Sequence, residues 1–138
     1  MMETSATTRT RWYSSCLWVL RVAVTLAAIT YLFQAVSAGQ FLDGDYAFLR
    51  LHQLGTTTVD ILMFIALVSA AGLRWVARGP VAPFLITLAA MIVSQAQAAT
   101  GAGRIVWLHV PLGVALIGLV WALAWGTWTS AAWRGESR

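Results

Sequence analysis

Four long apolar runs, at residues 22–42, 54–73, 81–101 and 106–125, are separated by short polar breaks. Each run has the roughly 20 residues that a helix needs to cross a bilayer's hydrocarbon core. The breaks are Asp43-Gly44-Asp45, the stretch from Arg74 to Pro80, and Ala102-Gly103-Arg104. Gly101 and Gly103 disfavour continuing the third helix into the fourth. Pro80 and Pro83 suit the start of the third helix, where a missing N–H costs nothing. Connections this short make neighbouring helices antiparallel. The pattern therefore predicts an all-α, integral membrane, up-down-up-down four-helix bundle. A cytoplasmic or interfacial segment (1–21) precedes the transmembrane domain (22–127), and a cytoplasmic tail (128–138) follows it.

Composition agrees with this reading. Of 138 residues, 59% are hydrophobic and 10% charged, and the mean hydropathy is +0.74; soluble domains carry about 25% charged residues. The net charge of +4 comes from nine arginines and no lysine, scattered singly between apolar runs. Nucleic-acid binders instead gather basic residues on one face, so no nucleic-acid partner is expected. The arginines read as topology signals. Arg9, Arg11, Arg21, Arg74, Arg78, Arg134 and Arg138 fall on one side, and only Arg50 and Arg104 on the other. The positive-inside rule then places both termini in the cytoplasm of a plasma-membrane protein. Trp12, Trp18, Trp75, Trp128 and Trp133 near one face and Trp107 near the other fit interfacial belts. The one cysteine, Cys16, excludes an intrachain disulfide. A competing reading takes the first run as a secretory signal cleaved after Val36-Ser37-Ala38, but its apolar stretch is longer than the usual signal core of about 7–15 residues.

The two halves of the chain repeat a pattern. Gln34 and Ser37-Ala38-Gly39 are followed by Leu51-His52-Gln53-Leu54-Gly55. Gln95 and Ala98-Ala99-Thr100-Gly101 are followed by Leu108-His109-Val110-Pro111-Leu112-Gly113. The hairpins run the same way, which implies a parallel repeat about the membrane normal. It places His52 and His109, the only histidines, at one depth near the outer face.

With helices about 8–10 Å apart, the second and fourth helices of a square bundle face each other across a diagonal of roughly 11–14 Å. Two imidazoles at one level there suit axial ligation of a b-type haem. Small residues at that level, including Gly39 and Gly101, allow close approach of a macrocycle, and Arg50 and Arg104 are placed to meet its propionates. The competing reading is a cofactor-free bundle, with histidines bonded to loop carbonyls, small residues serving helix packing and arginines meeting lipid headgroups.

Below His52 on the second helix come Thr56 and Asp60, at four-residue steps on one face; Asp60 is about 12 Å deeper. It reads either as a proton relay or quinol-binding acid, or as a neutral acid hydrogen-bonded to Thr56 or Gln34. The second reading is preferred, because no second acid completes a relay. Gln34 and Gln95 are most simply interhelical hydrogen-bonding residues.

A glutamine-bearing odd helix, a short outer loop and a histidine early in each even helix resemble one half of the haem A synthase fold and, more distantly, other four-span b-type cytochromes. The Leu108-His109-Val110-Pro111-Leu112-Gly113 and Gly39-Gln40-Phe41-Leu42 runs resemble a family of small bacterial membrane proteins known only as a domain of unknown function. The resemblance spans about residues 22–125. It implies the ligand role for His52 and His109 alone. Gln53 and Val110 stand where the haem A synthase pattern has arginine after histidine, and that pattern's outer-loop cysteine pair is absent. Oxygenase chemistry is therefore not carried over.

Two functional classes follow. One is a haem-binding membrane protein that transfers electrons or handles haem, with a redox partner or quinone to exchange electrons. The other is a cofactor-free structural or accessory subunit. A transporter would require oligomers to line a path. The chain carries no Walker loop, Gly-x-Ser-x-Gly or His-Glu-x-x-His, and no catalytic residue is assigned.

Overall fold

The computed structural model describes residues 2–134, all side chains being described except those of residues 2–7 and 134. Four long helices carry the fold. They are α1 (Met2–Leu42), α2 (Ala47–Ala71, continued by a π-helical turn over Gly72–Val76), α3 (Ala82–Ala102) and α4 (Val106–Thr129); a short α5 (Ala131–Arg134) follows. No strand is present among the described residues. All four long helices are long and apolar enough to cross a membrane.

Local chemistry sets the breaks. After α1 the chain turns through Gly44 at φ +106°, a left-handed conformation that glycine adopts at little cost. The Asp45 side chain then accepts a hydrogen bond from the Ala47 N–H (3.1 Å) and so opens α2. The C-terminal end of α3 closes through Gly103 N–H to Ala99 O (2.9 Å) and Arg104 N–H to Gly101 O (3.0 Å), with Arg104 at φ +56°. Both connections lie at the same end of the bundle, called here the turn end. The α2–α3 connection and the described chain ends lie at the opposite, terminal end.

Three of the expected helices keep the predicted boundaries within a few residues, apart from an earlier start to α2. The first helix departs more, because it runs unbroken through the residues read as a segment preceding the membrane. Leu17, Leu20, Ala23 and Val24 belong to the core. Arg21, read as a boundary charge, is buried: its Nε donates to Thr127 O (2.7 Å), and its guanidinium lies 5.6 Å from the Trp18 ring centre and 5.0 Å from that of Trp128. The cation is held by aromatic faces and a backbone carbonyl, which a charge pattern alone does not reveal. Of the tail arginines, Arg138 lies outside the described residues.

Packing is uneven along the bundle. The buried apolar residues run from Leu17 to Tyr31 on α1, from Val59 to Leu73 on α2 and its continuation, and from Leu116 to Ala124 on α4, with Ala90 on α3. All lie toward the terminal end or midway. In residues 32–58 and 91–115, which form the turn half, no apolar side chain of that core is found. Leu26, Ile29, Phe64, Val68, Leu85, Val114 and Trp125 are among the large apolar side chains on the outside.

Candidate functional site

Where the apolar core ends, a cavity of about 250 Å³ begins, with walls from all four long helices. Tyr31 and Ser94 contribute a buried hydrogen bond to its lining, Tyr31 Oη to Ser94 Oγ at 2.7 Å. His52 and His109 both line it, with ring centres 6.3 Å apart and ring planes inclined by 66°. The structure thus brings the two histidines together across the bundle from α2 and α4.

Each ring is held from the helix before it. His52 Nδ1 lies 3.2 Å from Gln34 O and 3.2 Å from Ser37 Oγ. Ser37 Oγ in turn donates to Gln34 O (3.0 Å). His109 Nδ1 lies 2.7 Å from Gln97 O. A carbonyl oxygen only accepts, so each Nδ1 is the donor in these contacts, and in the neutral ring Nε2 then carries the lone pair. That is the tautomer in which an imidazole ligates a metal through Nε2 while its other nitrogen is braced.

Glycines make these contacts geometrically available. Gly55 lies against the Gln34 side-chain amide, so a β-carbon there would collide with it. The Gln34 amide donates to His52 O (2.9 Å), which also accepts from Thr56 Oγ1 (3.1 Å). On α4, a β-carbon at Gly113 would stand 3.3 Å from Gln97 Nε2. The glycine that follows each histidine therefore receives a glutamine from the preceding helix.

The other sequence candidates divide. Gly39 lines the cavity, with open space where its side chain would be. Gly101 is outside the lining: a β-carbon there would lie 2.6 Å from His109 Cε1, so its smallness accommodates the ring, where the sequence reading gave it to a macrocycle. Arg50 and Arg104 are exposed at the turn end and do not line the cavity. Asp60 pairs with neither Thr56 nor Gln34; its Oδ1 accepts from Gln95 Nε2 at 2.8 Å, across α2 and α3. Thr56 is committed to the His52 carbonyl.

Sequence reasoning missed three residues of the cavity. Gln97, two positions beyond the glutamine singled out, matches Gln34 in its contact with a histidine Nδ1. About half a turn of helix separates Gln97, which reaches α4, from Gln95, which reaches α2, and only helix packing distinguishes them. Tyr31 and Ser94 carried no signal beyond being polar in apolar runs. Gln34 Oε1 is also buried without a hydrogen-bond partner, an acceptor left open in the cavity wall.

Among the described residues, no group of three His, Cys, Asp or Glu side chains converges on a point. Two imidazoles supply two donors, so a metal held here draws its remaining ligands from elsewhere, as iron does in a macrocycle. Compared with known proteins, the chain matches no family model, no curated protein and no solved structure.

Proposed function

We propose that this chain is a multi-pass plasma-membrane protein built from two repeated helical hairpins, and that it binds b-type haem between His52 and His109. The observation that carries the reading is the 6.3 Å spacing of the two ring centres. With both Nε2 atoms turned toward one iron, which for His109 means leaving the Gln97 amide, an iron–nitrogen bond of about 2 Å on each side plus roughly 1.2 Å from nitrogen to ring centre spans between about 6 and 6.5 Å. Support also comes from the two braced Nδ1 atoms and from an apolar cavity where the core is missing.

Each part of the chain has a task in this reading. Gln34 O and Gln97 O orient the imidazoles by holding each Nδ1, which leaves Nε2 as the nitrogen for the metal. Ala38 and Gly39 leave room on the α1 wall, and most of the surface lining the cavity is apolar. Arg50 and Arg104 stand at the turn end, two and five residues before the histidines, where anionic propionates would reach the aqueous edge. Bound haem supplies one-electron exchange, with a membrane redox protein or a quinone as the partner. The arginine distribution supports a turn end on the outer side and both termini in the cytoplasm.

The test is spectroscopic. The detergent-purified protein, expressed with haem available, is expected to show b-type Soret and α bands that sharpen on dithionite reduction. His52→Ala with His109→Ala in one chain abolishes them. A protein that stays colourless on haem titration rejects the reading. The cofactor-free accessory subunit is then the remaining one, favoured by the Gln97 amide that already occupies His109 Nε2 at 3.2 Å.

A further inference from the structure

Both histidines hold Nδ1 against a backbone carbonyl, but they differ at Nε2. At His52, Nδ1 is braced by Gln34 O and Ser37 Oγ, and Nε2 meets no hydrogen-bond partner among the described residues. The Gln34 amide that could have reached it is spent on the His52 carbonyl. At His109, one residue engages both ring nitrogens: Gln97 O at Nδ1 (2.7 Å) and Gln97 Nε2 at Nε2 (3.2 Å). With the proton on Nδ1, His109 Nε2 is an acceptor and the Gln97 amide is its donor. The lone pair that a metal needs is already in use.

We infer that Gln97 is a displaceable cap on His109. His52 is the anchoring ligand, and His109 is the exchangeable one. This rests on the haem reading and assigns an order to its two ligands. A metal reaching the cavity meets a free lone pair on α2 first and must break one hydrogen bond to gain the second on α4. Once His109 is displaced again, Gln97 can recapture its Nε2, so the α4 side is where a small neutral ligand such as imidazole or carbon monoxide competes. Gly113 leaves the Gln97 amide its space beside the ring.

The cap is measurable without haem. Diethyl pyrocarbonate modifies the unprotonated imidazole nitrogen that has a free lone pair, and peptide mass spectrometry resolves the two sites. In the detergent-solubilised wild-type chain, His52 is expected to react about tenfold faster than His109, the factor that corresponds to one hydrogen bond. Gln97→Met removes the donor at similar size and should bring His109 within about twofold of His52. Gln95→Met, which touches neither ring, should change neither rate. Equal rates in the wild type, or a His109 rate that Gln97→Met leaves unchanged, overturns the cap; the wild-type comparison decides even if the variant folds poorly. Haem titration then separates the ligand order from the haem reading. His109→Ala should retain haem with an altered, high-spin spectrum, whereas His52→Ala releases it. Equal loss in both overturns the order and leaves bis-histidine binding standing, while no uptake by the wild type rejects the haem reading itself and the ligand order with it.

Discussion

The His109 ring stands against the backbone of α3 at Gly101, where an added β-carbon would lie 2.6 Å from its Cε1. The contact fixes the depth at which the ring sits, because α3 cannot retreat without loosening its packing on α4. Gly101→Ala should therefore push the ring aside by several tenths of an ångström and weaken the 2.7 Å bond to Gln97 O. Overpacking of this kind costs about 1–3 kcal/mol. Thermal melting of the detergent-solubilised protein should show the loss, with haem affinity falling alongside it; an unchanged melting temperature would mean that the ring has room to spare.

Gly39 makes the opposite case. A side chain added there meets nothing within 4 Å and enters the cavity. Gly39→Leu is expected to leave the haem-free protein at least as stable as wild type, by removing a helix glycine worth about 1 kcal/mol relative to alanine and by filling space. Haem uptake, followed by Soret titration, should fall at least tenfold. Retained uptake would place the macrocycle away from α1.

How much of this was legible in the sequence depends on which interaction sets each feature. The four helices follow from apolar run length, a property of the chain itself. The meeting of His52 and His109 was legible because the repeat puts both at one depth and the topology puts their helices across from one another. The burial of Arg21 was not legible because a charge at the edge of an apolar run has two physical outcomes, an aqueous anchor or a buried aromatic pocket, and only the partner Trp128, far along the chain, decides between them. Asp60 has one set of polar neighbours in sequence and a different one in space, since Gln95 reaches it from another helix. Gln97 was passed over for the same reason: the rotation of α3 about its own axis, set by packing, chooses which glutamine faces His109.

Arg21 yields a stability prediction. Arg21→Ala removes the bond to Thr127 O, the guanidinium's contacts with Trp18 and Trp128, and the packing of its stem. A loss of about 2–3 kcal/mol is expected from a hydrogen bond by a charged group and a desolvated cation–π contact. Arg21→Lys should recover less than half, because an ammonium lacks the planar face that spans both rings. Melting temperatures, with tryptophan fluorescence reporting on Trp18 and Trp128, check both; full rescue by lysine would reduce the site to a simple charge.

The Asp60–Gln95 bond separates a proton-carrying acid from a structural one. Asp60→Asn keeps a partner for Gln95 and removes the titratable group. It should leave stability within about 0.5 kcal/mol and haem spectra unchanged. Asp60→Leu strands the Gln95 amide and should cost about 1 kcal/mol, the scale of polar bonds between membrane helices. A loss of electron-transfer competence in Asp60→Asn, measured as the rate of haem reduction by a quinol, would restore the relay role instead.

The bundle is built like a pair of forceps: the grip is closed by Leu20, Met63, Leu73 and Leu123 at the terminal end, and the blades at the turn end carry the histidines with little between them. The grip holds the chain together whether or not the blades grasp anything. Their alignment is then tied by linkage to whatever they hold, with free ligand at a hundred times its Kd adding about 2.7 kcal/mol to the folded state. Amide exchange should accordingly be slow along the grip in every state, while protection of the blades should rise when a ligand is added that binds between the histidines.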